Sequence, residues 1–280
     1  MIRLYAGIDL AVATDMRKKT MMYSYQDLAG MIDHSLLHPV LTDAELEAGC
    51  ALAVKYQVAS VCIKPYFVRR AVELLRGTGV RVGCVVGFPH GNSATAVKRF
   101  ETETACRDGA VEIDMVINIG KALGGDWEYV QSDIQAVCDE AHRHGAKVKV
   151  IFENDYLGQG GGGLSSDQLK IKLCQLAERA GADWVKTSTG FGFVKQPDGS
   201  YNYRGATEHD LALMRANCSE HVQVKAAGGV RDLGGLVRVR QLGCTRCGAS
   251  ATAAMLDEYH RLEPTGESSK SGGSLGRSGY

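Results

Sequence analysis

Two lysines interrupt apolar, strand-like runs of the sequence. Lys186 lies in the run 183–189 and Lys225 in the run 222–227, and each run leads into small residues. Burial disfavours the charged form of lysine, and a second cation nearby disfavours it further. Such a pair can hold a neutral amine near neutral pH, and a neutral amine attacks carbonyl carbons to form a Schiff base. The residues alone leave open which of the two lysines is the nucleophile.

Two more ionisable residues interrupt apolar runs earlier in the chain. Asp114 lies in the run 111–117 and Lys149 in the run 146–153. A single residue of this kind is usually a strand residue that pairs locally or keeps only its stem buried. Four of them on consecutive strands indicate a cluster. One carboxylate among three lysines leaves that cluster cationic unless a lysine loses its proton or an anion binds.

Glycines close the last two strand-like runs. Gly228 and Gly229 follow the seventh run, while Gly248 lies just before Ser250 at the end of the eighth. Barrels of alternating strands and helices often bind phosphate at the loops after strands 7 and 8, where glycine lets the backbone N–H groups approach the anion. The pattern favours a phosphate site over glycines that merely permit tight turns.

The elements that must position these residues alternate along the chain. The predicted strands are 31–37, 58–63, 81–87, 111–117, 146–153, 183–189, 222–227 and 244–250. Helix-like stretches between them are 42–56, 92–107, 127–144, 166–180, 207–216 and 232–242, and Thr42 with Glu45 has the pattern of a capping box. This alternation predicts an α/β fold, a (β/α)₈ TIM barrel with catalytic groups at the C-terminal ends of its strands. A doubly wound sheet is disfavoured because no glycine fingerprint follows the first strand.

The predicted barrel domain occupies residues 25–262. Residues 1–24 are predicted to form an N-terminal extension or extra helix. Residues 263–280 are rich in glycine and serine with little to bury, which predicts a flexible tail that ends in Tyr280.

The composition restricts the classes of partner and compartment. Lysine plus arginine and aspartate plus glutamate both total 32, so no basic excess indicates nucleic-acid binding. The nine cysteines are scattered and odd in number, which favours reduced thiols over a disulfide framework. No segment approaches the ~18 apolar residues of a membrane span, and the start lacks the centre of a signal peptide. We therefore expect a cytoplasmic protein that binds neither nucleic acid nor membrane.

The motifs around these residues resemble those of the deoxyribose-phosphate aldolases, a family of class I aldolases on a TIM barrel. The resemblance covers about residues 25 to 260 and rests on the segments 32–37, 61–63, 86–91, 112–116, 184–190, 225–231 and 248–250. It implies that Lys186 is the Schiff-base nucleophile, that Lys225 is the neighbouring cation that lowers its pKa, and that Asp114 moves protons. By the same resemblance, Lys149 supports this relay.

The resemblance also implies the substrate and the reaction. The implied substrate- and phosphate-binding residues are Ser35, Cys62, Gly190, Gly228, Gly229, Gly248 and Ser250. The implied reaction is the reversible cleavage of 2-deoxy-D-ribose 5-phosphate to D-glyceraldehyde 3-phosphate and acetaldehyde in deoxyribose phosphate catabolism. It needs no metal or organic cofactor, and a homodimer or homotetramer is the expected assembly.

Other interpretations stay open at this point. A phosphosugar isomerase or lyase could use Asp114 as a base without covalent chemistry, but it would leave Lys186 unexplained. A non-catalytic phosphosugar-binding protein is a third possibility. In some family members a flexible tail ends in a tyrosine that assists proton transfer. The sequence does not decide whether Tyr280 does so. It also does not decide how the long 191–204 loop shapes the mouth of the active site.

Overall fold

Residues 17–262 are described by a computed structural model, and within them eight parallel strands form a closed barrel. The strands are β1 (Ile32–Leu36), β2 (Ser60–Ile63), β3 (Arg81–Val86), β4 (Glu112–Val116), β5 (Lys147–Ile151), β6 (Trp184–Lys186), β7 (Gln223–Ala227) and β8 (Arg246–Ala249). Each strand pairs with the next along the chain, and β1 pairs with β8 to close the ring. The predicted TIM barrel is confirmed, although the strands begin up to two residues later and end up to three residues earlier than expected.

Helices cover the outside of this barrel. They are α1 (Tyr25–Ala29), α2 (Asp43–Lys55), α3 (Val68–Leu74), α4 (Thr95–Arg107), α5 (Ile119–Leu123), α6 (Trp127–Arg143), α7 (Ser166–Arg179), α8 (Glu208–Ala216), α9 (Leu233–Gln241) and α10 (Thr252–Leu262). All six predicted helices are present. The predictions did not include α1, α3 and α5, which are too short to show a helical period, or α10, which borders the glycine-rich end of the chain.

Local capping explains where α2 begins. The Thr42 hydroxyl accepts a hydrogen bond from the backbone N–H of Glu45 at 3.3 Å, and the Glu45 carboxylate accepts one from the N–H of Thr42 at 2.7 Å. The predicted capping box is therefore confirmed, and it ends the β1–α2 loop at a defined residue.

The strand register brings the predicted chemical residues onto the inside of the barrel. Asp114 pairs with Lys149 across β4 and β5, and Lys186 pairs with Lys225 across β6 and β7. Paired residues of neighbouring strands point to the same face of a sheet. Lys149 pairs with Trp184, two residues before Lys186. Lys149 consequently lies one layer deeper in the barrel than Lys186.

The ends of the chain carry predictions that the fold does not test. Residues 17–20 are helical, whereas residues 1–16 lie outside the described part of the chain. The predicted tail 263–280, with Tyr280, also lies outside it. The division into extension, barrel and tail stays a prediction. Within residues 17–262, no helix is long and apolar enough to cross a membrane.

Candidate active site

A cavity of about 520 Å³ opens among the loops at the C-terminal ends of the barrel strands. The predicted site residues that line it are Ser35, Lys186, Gly190, Gly228, Gly229, Gly248 and Ser250. Lys186 is the one lysine in this lining among residues 17–262. A second cavity, of about 580 Å³, lies outside the barrel beside the start of α7 and contains none of the predicted site residues. The first cavity is therefore the candidate active site.

Lys186 lies at the floor of the cavity. Its side chain is only 3% exposed, and its Nζ lies 2.7 Å from Oδ2 of Asp114. Burial lowers the pKa of Lys186 below its ordinary value, and the nearby charge of Lys225 lowers it further, while Asp114 opposes both effects. More of Lys186 is therefore neutral near neutral pH than of an exposed lysine.

The surroundings of Lys225 favour its charged form, in contrast to those of Lys186. Its Nζ lies 2.7 Å from Asp114 Oδ2 and 2.6 Å from Asp33 Oδ2, and its side chain has no exposed surface. Burial alone would lower its pKa, but the carboxylates of Asp114 and Asp33 raise it above the ordinary value. The two lysines that the sequence left interchangeable thus differ: Lys225 stays a cation, and its charge lowers the pKa of Lys186.

Lys149 joins the carboxylates beneath Lys186. Its Nζ lies 2.6 Å from Glu112, 2.9 Å from Asp114 and 3.1 Å from Asp33. Burial would lower the pKa of Lys149, but these carboxylates raise it well above the ordinary value. Lys149 is therefore a cation that fixes Asp114 from below.

The charge balance differs from the one expected from the sequence. The cluster contains three buried carboxylates instead of one, because Asp33 and Glu112 are buried beside Asp114. Arg246 forms ion pairs with both Asp33 and Glu112. We call these residues the barrel cluster: Asp33, Glu112, Asp114, Lys149, Lys186, Lys225 and Arg246. With every group ionised, this buried set has four cations and three carboxylates. Loss of one proton from Lys186 balances it.

Sequence reasoning missed Asp33, Glu112 and Arg246, although two of them carried a signal. Glu112 lies two residues before Asp114 on the same strand, so it faces the same side of β4. Asp33 interrupts the apolar run of β1 in the same way that the predicted residues interrupt theirs. Arg246 is recognised only through its contacts with Glu112, at 2.7 Å, and with Asp33, which join strands far apart in sequence.

Asp114 is the centre of the barrel cluster. Burial alone would raise the pKa of Asp114, but Lys149, Lys186 and Lys225 hold it well below its ordinary value. Asp114 is therefore ionised and accepts from all three amines. The Cys62 thiol also contacts it, with Sγ 3.8 Å from Oδ2.

Cys62 lies behind the cavity wall and is outside its lining, so its predicted substrate contact stays a prediction. Only 1% of Cys62 is exposed. Burial raises the pKa of the thiol to about 11, which keeps it protonated near neutral pH.

The other end of the cavity is suited to an anion. Gly228 and Gly229 have φ values of 85° and 88°, a left-handed conformation that favours glycine. Ser250 is exposed just before α10 begins at Thr252. Backbone N–H groups at such a helix start attract anions. A phosphate at this end would lie across the cavity mouth from the floor that holds Lys186.

The long loop after β6 forms part of the cavity wall. It contains a hairpin in which Val194–Lys195 pairs with Tyr201–Asn202. Phe193 and Tyr203 flank this hairpin and line the cavity, with their rings in an edge contact at 5.2 Å. These two aromatic residues narrow the mouth beside Gly228.

Known proteins that this chain resembles include aldolases. The chain matches a family model described as DeoC/LacD family aldolase over residues 27–278. A deoxyribose-phosphate aldolase from Rhodopirellula baltica is 50% identical over 239 residues, which are 85% of this chain and 92% of the relative. One from Clostridium perfringens (strain 13 / Type A) is 44% identical over 232 residues, 83% of this chain and 95% of that protein. The tetrameric deoxyribose phosphate aldolase of Aeropyrum pernix has a TM-score of 0.74 at 28% identity, covering 89% of this chain and 99% of that one.

Proposed function

The chain belongs to the DeoC/LacD family of aldolases, and we propose that it reversibly cleaves 2-deoxy-D-ribose 5-phosphate to D-glyceraldehyde 3-phosphate and acetaldehyde. One observation carries the proposal: Lys186 lines the cavity, has a lowered pKa and lies 2.7 Å from a buried carboxylate. The relatives named deoxyribose-phosphate aldolase supply the substrate.

Lys186 is the nucleophile of this reaction. Its neutral amine adds to the aldehyde carbon C1 of the open-chain substrate, and the carbinolamine loses water to form an iminium. The lowered pKa matters because a protonated amine has no electron pair to donate. An iminium also withdraws electrons more strongly than the aldehyde that it replaces.

The iminium then accepts the electrons of the C2–C3 bond. The C3 hydroxyl loses its proton, the bond breaks, and C3 becomes the aldehyde carbon of glyceraldehyde 3-phosphate. The electron pair of the broken bond forms an enamine on C1 and C2. Protonation of the enamine at C2 followed by hydrolysis releases acetaldehyde and restores Lys186.

Asp114 accepts and returns the protons of these steps, and the cation Lys225 holds the carboxylate in place. Oδ2 of Asp114 lies 2.7 Å from Nζ of both Lys186 and Lys225, so one carboxylate oxygen connects the nucleophile to the permanent cation. Neither Asp114 nor Lys225 lines the cavity. A water molecule must therefore carry each proton between Asp114 and the substrate. Lys149 holds the other oxygen of Asp114 and fixes its orientation.

The glycines at the far end of the cavity bind the substrate phosphate in this proposal. Gly190, Gly228, Gly229 and Gly248 present backbone N–H groups, and Ser250 adds a hydroxyl. Ser35 faces the same cavity and contacts the sugar. Arg231, which also lines the cavity, adds a positive charge beside the phosphate.

Three further expectations belong to the proposal. Tyr280 assists proton transfer at the enamine, a role that the sequence alone leaves open. The enzyme is a homo-oligomer, and the Aeropyrum pernix relative is described as a tetramer. The cytoplasmic location expected from the sequence stays a prediction.

Product analysis tests the proposed function. We expect 2-deoxy-D-ribose 5-phosphate to give glyceraldehyde 3-phosphate and acetaldehyde in equal amounts, measured by proton NMR. The variant Lys186→Arg should not catalyse the reaction, because a guanidinium stays protonated and has no electron pair to donate. Lys195→Arg, an exposed lysine on the hairpin, is the matched control and keeps the activity. An isomerised phosphosugar without acetaldehyde would contradict the proposal.

A further inference from the structure

Glu153, two residues after β5, is a buried carboxylate without a cation. Its exposed surface is 1% of the maximum. The other buried carboxylates among residues 17–262 each have a lysine or arginine within 4 Å; they are Asp33, Glu112, Asp114, Asp133, Glu140 and Asp210. Glu153 has no such partner in this part of the chain. A buried carboxylate without a cation is costly, and costs of this kind concentrate at functional sites.

The backbone at Glu153 is also unusual. Its φ is 58°, a left-handed conformation that few side chains adopt and that costs ~1–3 kcal/mol. The residues on either side hold it there, since the N–H of Phe152 donates to the carbonyl of Lys186 and the N–H of Asn154 to that of Thr187, both at 3.0 Å. The conformation points the Glu153 side chain at the end of β6.

The carboxylate organises the turn that follows β6. It accepts the backbone N–H of Thr189 at 3.2 Å and a hydrogen bond from the Thr189 hydroxyl. The same hydroxyl oxygen accepts the N–H of Phe191 at 2.9 Å. A Cβ added to Gly192 would lie 2.5 Å from Cδ of Glu153, so the turn fits closely around the carboxyl group. Residues 189–192 are therefore folded around Glu153.

This turn is part of the active-site wall. Thr189, Gly190 and Phe191 line the cavity, whereas Glu153 does not. Any effect of Glu153 on the substrate must act through them. Lys186 lies three residues before Thr189, so the turn connects the nucleophile to Gly190 of the proposed phosphate site.

We propose that Glu153 is a positioning residue for substrate binding, whose ionised carboxylate holds the 189–192 turn in the conformation that places Gly190 against the phosphate. The inference rests on the proposed function. An ionised carboxylate accepts both donors of Thr189, while protonation removes one accepting position and loosens the turn.

The charge state of Glu153 changes near physiological pH. Burial raises its pKa to about 7, while the hydrogen bonds from Thr189 lower it. Three other ionisable groups lie near it. Asp155 from its own loop raises the pKa of Glu153, and Lys186 from β6 lowers it. Tyr156 also lies close enough for the charge of Glu153 to raise the pKa of the tyrosine. The turn itself carries no ionisable side chain between residues 189 and 192. Substrate binding should therefore weaken as the pH falls through about 7.

The variant Glu153→Gln tests the inference because it keeps the volume and removes the charge. We expect KM for 2-deoxy-D-ribose 5-phosphate to rise about tenfold at pH 8, as for the loss of a hydrogen bond to a charged group, with kcat changed less than about twofold. KM for unphosphorylated 2-deoxyribose, which makes no phosphate contact, should change less. The exposed Glu128→Gln is the matched control.

The pH profile separates a positioning role from a structural one. The wild-type KM should rise as the pH falls through about 7, and Glu153→Gln should lack this inflection. The substrate phosphate also titrates near ~6, but it does so equally with both enzymes, so the difference between the profiles reports Glu153. If Glu153→Gln keeps both the KM and the pH inflection of the wild-type enzyme, the inference is wrong.

If the variant does not fold, the 5-sulfate ester of 2-deoxyribose replaces the 5-phosphate in assays of the wild-type enzyme, because the charge of a sulfate ester does not change in this pH range. An inflection of KM near pH 7 for the sulfate ester but not for 2-deoxyribose supports the inference, and its absence overturns it. Failure of the proposed function is distinguishable, because the wild-type enzyme would then release no acetaldehyde.

Discussion

Two sites among residues 17–262 contain lysines with no exposed side-chain surface, and they differ in how the charge is balanced. Lys98 on α4 lies outside the barrel, where its Nζ is 2.5 Å from Asp133 and 2.9 Å from the carbonyl of Val116. Asp133 also accepts the hydroxyl of Thr95 at 2.7 Å. One cation therefore faces one carboxylate, and both have further hydrogen bonds. Lys186 instead shares Asp114 with two other lysines.

The difference separates the proposed nucleophile, Lys186, from a lysine with a structural role. Burial is common to Lys98 and Lys186, so burial alone cannot be the signal. The barrel cluster has more cations than carboxylates, and Lys186 is the member that faces the cavity. In the proposed reaction, loss of the Lys186 proton relieves this excess of positive charge and leaves a neutral amine at the cavity.

Replacement of Lys186 should have the largest effect. We expect Lys186→Arg to lower kcat by at least ~10³-fold, because the covalent intermediate cannot form. The variant should remain folded, as circular dichroism would check, because the guanidinium can still donate hydrogen bonds to Asp114. Steady-state kinetics would contradict the account if this variant retained a tenth of the wild-type rate.

Removal of the second cation should change the pH dependence. Lys225→Met takes away a charge that lowers the pKa of Lys186, so that pKa moves back toward its ordinary value of 10.5. Activity requires the neutral amine and rises with pH as the proton leaves. The acidic limb of the kcat/KM profile should therefore shift to higher pH, with a loss of ~10²-fold or more near pH 7. A shift to lower pH would show that Lys225 does not act on Lys186 in this way.

The Lys98–Asp133 pair should affect stability instead of chemistry. Lys98→Met leaves Asp133 buried without a cation, and we expect the free energy of unfolding to fall by ~3–5 kcal/mol in urea titrations. The double variant with Asp133→Leu removes both charges and should recover part of this loss. The rate per folded molecule should stay at the wild-type level. Loss of turnover in a folded Lys98→Met protein would contradict the purely structural role of the Lys98–Asp133 pair.

Ser250 should have the smallest effect. Its exposed hydroxyl supplies one neutral contact to the proposed phosphate, so Ser250→Ala should raise KM ~3- to 10-fold and leave kcat unchanged. Equal KM increases for phosphorylated and unphosphorylated substrates would place Ser250 away from the phosphate.

The sequence predicted the barrel and most of the cavity because those features depend on local patterns. Lys186, Gly190 and Gly228 each follow from a strand-like run and its small-residue end. The contact of Arg246 with Glu112 depends on the register of strands that are distant in the chain, and no local pattern encodes it. The environment of Glu153 likewise depends on a single left-handed φ and on the turn packed around it.

The difference in pKa between Lys186 and Lys225 also depends on residues that are distant in the chain. Both lysines interrupt apolar runs in the same manner, and the sequence alone did not separate them. The second carboxylate at Lys225, Asp33, lies nearly 200 positions earlier in the chain, on β1. Only the closed ring brings the two together. The pKa values then move in opposite directions.

Chemical trapping tests the central claim most directly. Borohydride added during turnover of 2-deoxy-D-ribose 5-phosphate reduces a Schiff base to a stable secondary amine, which mass spectrometry of peptides can locate. The account predicts one substrate-dependent adduct, on the peptide that contains Lys186, and none in Lys186→Arg. An adduct on Lys225 or Lys149, or turnover without any adduct, would contradict it.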